Sequence, residues 1–577
     1  MKEFIKNIKR TWQYTKYQKK RYLLYVLCHI LGIILGIVLP ILSARVIIHL
    51  TNNKFYELIC IAIVIFFVDS MSSLIWYLER HLTQRINRET FSLIQNDLCK
   101  ETLKLENEVI DSKGTGAFIS RISNDATRLS DVFNSITFFF SGIIKNIGIL
   151  IAIFIINKLF FIYAFLMSIF VSLIDYRRTK AKNERDKEYR KKQDIVTGFI
   201  SEMIRGVRDV KMLNAESSFL STSNQKVKDL NEERYKMQKV DRMWAFVVTE
   251  LENLHDLLTI VLIVILIINK RLAIANALVL YNYTRQTTNI SYYVSTLLDY
   301  VVDFNLSCDR VFEILGNKVY KKEKFGKEHI NNLDGRFEFK NVSFSYNNDS
   351  VVLKNISFKI KANETVGFVG KSGAGKTTIF NLLCKLYPDY KGKISIDDID
   401  IRDLDKDSIR GNITIISQNP YIFNLSIKEN LKLVKDGVTD AEIVEACKTA
   451  CLDDFINTLE KKYDTVIGEG GVTLSGGQKQ RLAIARALIQ KTKVILFDEA
   501  TSALDNETQE KIQKAIDNMK NNYTIMIIAH RLSTIVNCDR ILFLNNGRIE
   551  AEGTHKELLQ NCKEYKKLYE AEIEKEN

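Results

Sequence analysis

The sequence predicts a fold of two parts, a membrane domain of six transmembrane α-helices followed by a soluble α/β domain that contains a P-loop. Three observations predict it. Nearly all the long apolar runs lie in roughly the first three hundred residues, and they match the ~20 residues that one bilayer crossing needs. After about Leu333, short apolar runs alternate with helical patterns. The stretch GKSGAGKT at 370–377 matches a P-loop and lies between an apolar strand and a helix.

Composition and charge agree with this division. The 577 residues are 46% hydrophobic and 26% charged, which indicates that apolar and charged residues are segregated along the chain. The formal net charge of +13 fits either nucleic-acid binding or the excess of Lys and Arg on cytoplasmic loops. The position of the basic residues favours the loops. The nine cysteines include no CxxC pair, which favours reduced thiols over a zinc site.

The N-terminal third of the membrane domain begins with a basic segment. Residues 1–21 mix Lys and Arg with aromatic side chains, which predicts an amphipathic helix at the cytoplasmic membrane face. The run 22–50 is long enough to cross the bilayer, with a kink predicted at Pro40. After a short polar outer loop, 55–78 returns the chain inward, and a polar stretch that permits a helix follows over 79–131.

Four further crossings are predicted by the same reasoning. They are 133–156, 159–176, 243–268 and 272–303. Short outer loops and long basic inner segments follow the positive-inside rule. We therefore expect a transmembrane domain over 22–310 with two long intracellular loops, a linker over 311–334, and a nucleotide-binding domain over 335–577.

The P-loop predicts a phosphate site in the soluble domain. Backbone N–H groups of the glycine-rich turn cradle the phosphates, Lys376 neutralises the β and γ oxygens, and Thr377 offers a hydroxyl to Mg²⁺. The predicted phosphate-binding residues are Gly370, Ser372, Gly373, Ala374, Gly375, Lys376, Thr377 and Thr378. A P-loop alone leaves kinases, GTPases and helicases open.

A second anion site is predicted at the stretch LSGGQ. Ser475 and the N–H groups of Gly476 and Gly477 precede a helix predicted over 478–490, and a helix start attracts anions. LSGGQ after a P-loop resembles the signature of ATP-binding cassette (ABC) proteins. In that family the signature of one subunit closes over the nucleotide held by the P-loop of the other. The resemblance therefore implies ATP as ligand, with Ser475, Gly476, Gly477 and Gln478 on the partner's nucleotide.

Further motifs of the family follow in its order. By resemblance, Gln418 is the Q-loop residue that reaches the metal and the attacking water. The strand VILF at 494–497 ends in two carboxylates, of which Asp498 holds Mg²⁺ through water and Glu499 polarises the attacking water as general base. Asp505 matches the loop that crosses the dimer interface, and His530 matches the switch histidine at the γ-phosphate.

Tyr346 matches the aromatic residue that stacks on adenine in ABC ATPases. It comes just after the predicted strand 337–344. A strand-edge tyrosine without this role is the alternative.

The membrane half carries weaker family marks. The stretch 115–125 resembles the exporter pattern TGxxxSRxxxD, and 206–211 resembles the corresponding part of the second intracellular loop. In the family, short coupling helices near these places press on the ATPase domains, which implies coupling helices near 106–113 and 213–219. Solvated charged helices are the alternative interpretation.

The resemblance implies ATP-driven export of a small molecule, lipid or peptide by a half-transporter in the cell membrane, with its ATPase domain in the cytoplasm. Every catalytic position is intact, which favours a homodimer, although the chain could instead be the intact subunit of a heterodimer. An importer of a siderophore-like substrate is a further alternative. A soluble ABC ATPase acting on nucleic acid would not explain six membrane-length runs, so no nucleic-acid partner is expected. The abundance of Lys, Asn and Ile suits an AT-rich bacterial genome.

Ionisable residues inside the predicted crossings are candidates for substrate contact, because charge in a bilayer is costly. Acidic groups in the fifth crossing could attract a cationic drug or a basic peptide. Alternatively, they pair with basic groups of other crossings. The residues concerned are Lys145, Glu250, Glu252, His255, Asp256 and Arg285.

Overall fold

The computed structural model describes residues 2–316, 318–346, 351–417, 420–468, 470–498, 506–529 and 534–576. The chain forms two compact units. The first comprises Met1–Lys104 and Gly114–Tyr320, and the second comprises Leu105–Lys113 and Lys321–Asn577. A short segment from the N-terminal half of the sequence therefore belongs to the C-terminal unit.

Long helices build the first unit. In chain order, with α4 belonging to the second unit, the helices are α1 Lys2–Thr15, α2 Lys19–Thr51, α3 Phe55–Thr102, α4 Asn107–Lys113, α5 Thr115–Ser120, α6 Ala126–Ser130, α7 Val132–Ile156, α8 Lys158–Arg205, α9 Val207–Met212, α10 Glu216–Ile268, α11 Ile274–Thr287 and α12 Asn289–Leu315. A π-helical turn, Arg121–Asp125, joins α5 to α6. Helices of about 50 residues span some 75 Å at 1.5 Å per residue, so they extend far beyond a bilayer.

Five helical stretches in the described part of the chain are long and apolar enough to cross a membrane. They are Lys2–Leu50, Phe55–Thr102, Thr115–Ile156, Lys158–Arg205 and Glu216–Ile268. Each contains one of the first five predicted crossings. Their faces expose many large apolar side chains, such as Phe66 and Phe67 at 65% each, which suits contact with lipid.

The predicted sixth crossing, 272–303, differs from the other five. It is helical but divided between α11 and α12 at Thr288, and it is not among the five stretches. Polar residues lower its apolar character, and Thr287 and Ser291 donate hydroxyl hydrogen bonds back to helix carbonyls, a pattern that bends helices.

The two inner excursions each contain a short helix. The first is α4, which coincides with the coupling helix predicted near 106–113. The second is α9, which ends where the predicted segment 213–219 begins. That segment instead forms a turn and the start of α10, because α8 ends at Gly206 and Asn214 adopts a left-handed conformation at φ 51°.

The second unit is an α/β domain. Its strands are β1 Phe337–Phe344, β2 Leu353–Ile360, β3 Thr365–Val369, β4 Lys391–Ile396, β5 Ile399–Asp400, β6 Ile413–Ile416, β7 Leu425–Ser426, β8 Val466–Ile467, β9 Val494–Asp498, β10 Thr524–Ile528, β11 Arg540–Asn545 and β12 Arg548–Gly553. Its other helices are α13 Lys376–Leu383, α14 Lys406–Arg410, α15 Ile427–Lys432, α16 Asp440–Thr449, α17 Asp453–Thr458, α18 Gly476–Gln490, α19 Asn506–Met519, α20 His555–Asn561 and α21 Lys563–Glu576.

A six-stranded sheet in the order β12-β11-β3-β10-β9-β6 forms the centre of this unit, beside a four-stranded sheet in the order β2-β1-β4-β5. The strands β11, β3, β10, β9 and β6 are parallel to one another. Successive residues of β9 enter different hydrophobic clusters, with Ile495 and Phe497 in one and Val494 and Leu496 in the other. Both faces of this sheet are therefore buried, as expected for parallel strands.

Candidate functional site

One edge of the central sheet collects the predicted chemistry. Because β3, β10, β9 and β6 are parallel, their carboxyl ends lie at the same edge. The P-loop leaves β3 after Val369, and Asp498 is the last residue of β9. In register, Ile528 at the end of β10 pairs with both Phe368 and Asp498. The loops that follow these strands therefore start close together.

The glycines of the P-loop adopt conformations that other residues rarely take. Gly373 and Gly375 have φ values of 80° and 100°. A Cβ at Gly370 would lie 2.1 Å from the carbonyl oxygen of Leu544, and one at Gly375 would lie 2.5 Å from Cδ2 of Leu353. The loop therefore depends on glycine, and it leads directly into α13, whose first N–H groups favour an anion.

Lys376 is the first residue of α13, and its side chain folds back along the loop. It is 5% exposed. Its Nζ donates to the carbonyls of Gly370 at 2.8 Å and Lys371 at 3.2 Å. A buried ammonium is thus held beside the phosphate cradle, where its positive charge favours a polyanionic ligand.

Thr377 and Asp498 form an oxygen pair that suits a hard divalent cation. The Thr377 hydroxyl donates to Oδ1 of Asp498 at 3.3 Å, although the two residues lie on different elements, α13 and β9. Hydroxyl and carboxylate oxygens are ligands that Mg²⁺ prefers. The donor chemistry therefore fits the predicted metal.

Tyr346 lines a cavity of about 780 Å³. Its hydroxyl is 3.1 Å from Oγ1 of Thr378, and its ring packs edge-to-face on Tyr387 with centroids 5.0 Å apart. Burial raises the pKa of Tyr387, so this phenol stays neutral at physiological pH. The sequence did not single out Tyr387, since nothing in its spacing links it to Tyr346. Glu108 of α4 lines the same cavity.

The signature residue Ser475 caps α18. Its hydroxyl accepts from the Gln478 N–H at 3.3 Å, and its own N–H donates to the Gln478 side chain at 2.8 Å. The helix therefore begins at Gly476, two residues before the predicted 478, because this reciprocal pair closes its first turn. Ser475 is exposed, while Gly477 of the signature is buried.

Four predicted site residues lie outside the described residues: Gln418, Glu499, Asp505 and His530. The strands that precede three of them are described. Gln418 follows β6 by two residues, Glu499 follows β9 directly, and His530 follows β10 by two residues.

The comparisons with known proteins agree with both halves of the chain. Residues 22–291 match the family model of the ABC transporter transmembrane region, and residues 353–502 match that of the ABC transporter. This chain belongs to the ABC transporter family. It is a transport ATPase with its membrane region fused to its ATP-binding domain, and it is a multi-pass membrane protein with a cytoplasmic ATPase domain.

Three relatives illustrate the likeness. The ABC transporter ATP-binding protein YfiC of Bacillus subtilis is 28% identical over 574 residues, which cover 98% of this chain and 94% of YfiC. The ATP-dependent lipid A-core flippase of Haemophilus influenzae (strain 86-028NP) is 44% identical over 271 residues, 46% of this chain and 45% of the flippase. The β-(1→2)glucan export protein NdvA of Rhizobium johnstonii is 44% identical over 238 residues, 41% of this chain and 40% of NdvA. The chain thus spans less than half of the last two. These relatives support ATP-driven export and do not favour import.

The charged residues of the crossings make contacts within the ABC transporter. Nε of Arg285 lies 3.4 Å from Oδ2 of Asp256, as in the pairing alternative. The buried ring of His255 has its Nδ1 2.8 Å from the Tyr163 hydroxyl. The Glu250 carboxylate accepts a hydrogen bond from Asn253 one turn away, and Lys145 passes beside Gly36.

A further polar contact in the membrane part was missed by the sequence analysis. His29 of α2 contacts Glu79 of α3 through Nδ1 and Ser141 of α7 through Nε2. The sequence analysis took Glu79, the first residue after a predicted crossing, as the boundary of that crossing. It therefore did not consider Glu79 as a partner for His29.

Replacing Thr377 with Val is expected to raise the Mg²⁺ concentration that supports half-maximal ATP hydrolysis by about tenfold, because the hydroxyl is lost while the side chain keeps its shape. The measurement is ATPase rate against Mg²⁺ concentration at fixed ATP. Thr458→Val is the control for loss of a threonine hydroxyl, since Thr458 is an exposed residue of α17 that donates to the carbonyl of Phe455. Equal Mg²⁺ requirements in wild type and Thr377→Val would contradict the metal assignment.

Proposed function

We propose that two copies of this ABC transporter pair to export a substrate across the membrane, with two ATP molecules held between them. The observation that carries the proposal is the presence of two separate anion-binding helix starts in one chain, α13 at the P-loop and α18 at Ser475. In the family, the second of these closes over the nucleotide of the partner copy. A second copy is favoured over a different half-transporter because no predicted catalytic residue is missing.

Each copy of the chain contributes named residues to ATP binding and hydrolysis. The P-loop N–H groups hold the phosphates, and Lys376 turns from the Gly370 carbonyl toward their oxygens. Thr377, Asp498 and Gln418 hold Mg²⁺, which supplies positive charge to the β and γ phosphates.

Glu499 accepts a proton from the attacking water, and His530 contacts the γ-phosphate. Asp505 lies where the two copies meet, and Tyr346 stacks on the adenine. The described strand ends support this arrangement, because β6, β9 and β10 deliver these loops to the edge where the P-loop begins.

Segment Leu105–Lys113 supports a route from the ATP site to the membrane helices. The Glu106 N–H donates to the carbonyl of Lys321 at 3.2 Å, and Leu105 pairs with Lys322 in an antiparallel bridge. Nζ of Lys321 lies 2.9 Å from Asp389, and Asp389 lines the cavity of Tyr346 together with Glu108. We propose that ATP binding at Tyr346 moves this segment, and that α3 and α5, which flank it, carry the motion into the crossings.

The domain boundaries are proposed as predicted: 1–21 for the N-terminal segment, 22–310 for the transmembrane domain, 311–334 for the linker and 335–577 for the nucleotide-binding domain. We also propose that α11 and the first part of α12 form the sixth crossing together, since an even number of crossings places both ends of the membrane domain on the cytoplasmic side.

A substrate with an apolar part is favoured. A cleft of about 570 Å³ between α2, α10 and α11 is lined almost wholly by apolar side chains, with Asn52 and Tyr281 as its polar groups. Two relatives are named for their substrates, lipid A-core and β-(1→2)glucan. We therefore place an amphiphile, a lipid or an apolar peptide ahead of a small polar solute.

ATP hydrolysis by this chain alone, reconstituted in lipid discs, tests the proposal. We expect steady hydrolysis that requires Mg²⁺ and changes with an exported compound, drawn from a panel of lipids, peptides and cationic drugs. Hydrolysis by a dimer of this chain alone would support the homodimer. A well-folded dimer that binds ATP without hydrolysing it would contradict self-sufficiency and favour a second half-transporter.

A further inference from the structure

The first helix uses its apolar face inside the protein. Phe4 of α1 packs edge-to-face on Phe304 of α12 at 5.6 Å, and the Asn7 side chain donates to Asn305 at 3.0 Å. Trp12 packs on Phe133 of α7 with centroids 5.0 Å apart. The sequence predicted an amphipathic helix at the cytoplasmic membrane face, and the apolar side chains of this helix pack against neighbouring helices.

The opposite face of this helix and its continuation into α2 carry five lysines and one glutamine, which we call the lysine stripe. Its residues are Lys2, Lys6, Lys9, Gln13, Lys16 and Lys20. They recur at alternating steps of four and three, which places them along one side of a helix, and all six are exposed. The first four residues of the stripe line a surface depression of about 500 Å³, together with Ile5 and Arg10.

The lysine stripe has few acidic neighbours, although Lys6 acts electrostatically on Asp309 of α12. Among residues 2–21, Glu3 is the one acidic side chain. In the part of the chain that the structure describes, none of the five lysines forms an ion pair with another side chain. Two of the other three cations of the segment are engaged, since Arg21 donates to both carboxylate oxygens of Glu89 at 2.7 Å and Arg10 lies over the Phe312 ring at 5.1 Å. The third is Lys19.

The lysine stripe lies at the cytoplasmic membrane surface. Three residues, Lys16–Gln18, separate α1 from α2, which belongs to the first stretch that is long and apolar enough to cross a membrane. Ile5 and Tyr17 beside the stripe are 51% and 75% exposed, and such side chains suit the headgroup region. A row of lysines at that depth meets the headgroups of the inner leaflet, and anionic headgroups complement its charge.

We propose that the lysine stripe is a binding site for anionic phospholipids of the cytoplasmic leaflet. The lysine ammonium groups bind the headgroup phosphates, while Ile5 and Tyr17 lie among the upper acyl segments. The packing of α1 on α12 and α7 holds the stripe rigidly at this surface. The proposal requires only that the chain spans the membrane, and not that it pairs or exports.

Trp12 reports on the lipid beside α1. The chain has three tryptophans, so Trp76→Phe and Trp244→Phe together leave Trp12 as the single probe. This protein is reconstituted in discs of equal phosphatidylcholine and phosphatidylglycerol, with bromine on the acyl chains of one lipid or the other. We expect brominated phosphatidylglycerol to quench Trp12 about twofold more than brominated phosphatidylcholine, and about 0.5 M salt to remove the difference.

Charge variants complete the test. Lys2, Lys6 and Lys9 are changed together to Gln, and exposed lysines of the ATPase domain, Lys435, Lys448 and Lys556, are changed to Gln as the matched control. We expect the preference to disappear in the first variant and to persist in the control. Equal quenching of Trp12 by both brominated lipids in the protein with all its lysines would overturn the proposal. A preference for phosphatidylglycerol that persists after Lys2, Lys6 and Lys9 are changed to Gln would also overturn it. Trp12 fluorescence in each variant before bromination shows that α1 remains packed.

Discussion

Replacing Glu499 with Gln is expected to lower ATP hydrolysis by at least about 10²-fold, the usual contribution of a general base, while ATP binding is kept. Gln has the same shape but accepts a proton far more weakly than a carboxylate. Glu499 follows directly after Asp498, whose carboxylate meets Thr377 at the end of β9. Asp498 thus ends β9 at the edge of the sheet where the P-loop begins.

Two measurements separate the base from a binding role. Steady-state phosphate release is compared between wild type and Glu499→Gln, and fluorescent ATP binding is titrated for both. An exposed glutamate of α19, Glu510, is changed to Gln as the control, and its rate is expected to match wild type. Undiminished hydrolysis in Glu499→Gln would remove the base assignment. Lost ATP binding in that variant would indicate that the carboxylate holds the nucleotide or the fold instead.

The strands and the helix around the predicted ATP site were predictable from the sequence because local patterns determine them. An apolar strand, a glycine-rich turn and a helix predicted β3, the P-loop and α13, and the apolar run 494–497 predicted β9. Because neighbouring strands are parallel, their carboxyl ends lie together. The Thr377 hydroxyl, which follows β3, accordingly lies 3.3 Å from Oδ1 of Asp498 at the end of β9. The long crossings followed equally well from apolar runs, because lipid selects continuous apolar surface.

What the sequence could not predict depends on contacts between distant segments. Tyr387 packs on Tyr346, and His29 contacts Glu79, yet the residues of each pair lie about 40 to 50 positions apart in the chain. The amphipathic pattern of α1 was predicted, but whether lipid or protein covers its apolar face depends on α12. The sixth crossing shows the same limit, since its helical run is divided at Thr288 between α11 and α12.

Two inactive variants are expected to restore each other when they are mixed. Lys376→Ala should weaken ATP binding by about 10- to 100-fold, because a charge-assisted hydrogen bond to phosphate is lost. Ser475→Asp should stop closure for a different reason. Asp caps a helix about as well as Ser, so α18 keeps its start, but its carboxylate repels the phosphates of the partner copy.

The mixture distinguishes a shared site from a site within one chain. In a pair with one copy of each variant, the P-loop of the Ser475→Asp copy meets the signature of the Lys376→Ala copy, and both of these are unaltered. When only mixed pairs are selected, every pair carries one intact site of two, so hydrolysis is expected to return to roughly half of the wild-type rate. Differently tagged copies, co-expressed and purified through both tags, provide the sample.

Thr554→Asp is the control for the added charge, because Thr554 caps α20 with the same reciprocal hydrogen bonds that Ser475 makes at α18. It is expected to leave hydrolysis unchanged. If each chain hydrolysed ATP with its own P-loop and its own signature, both variants would stay inactive in every pair and mixing would restore nothing. Recovery can arise only where the signature of one copy acts on the ATP of the other, so this result would place the two anion-binding helix starts, α13 and α18, on opposite sides of one nucleotide.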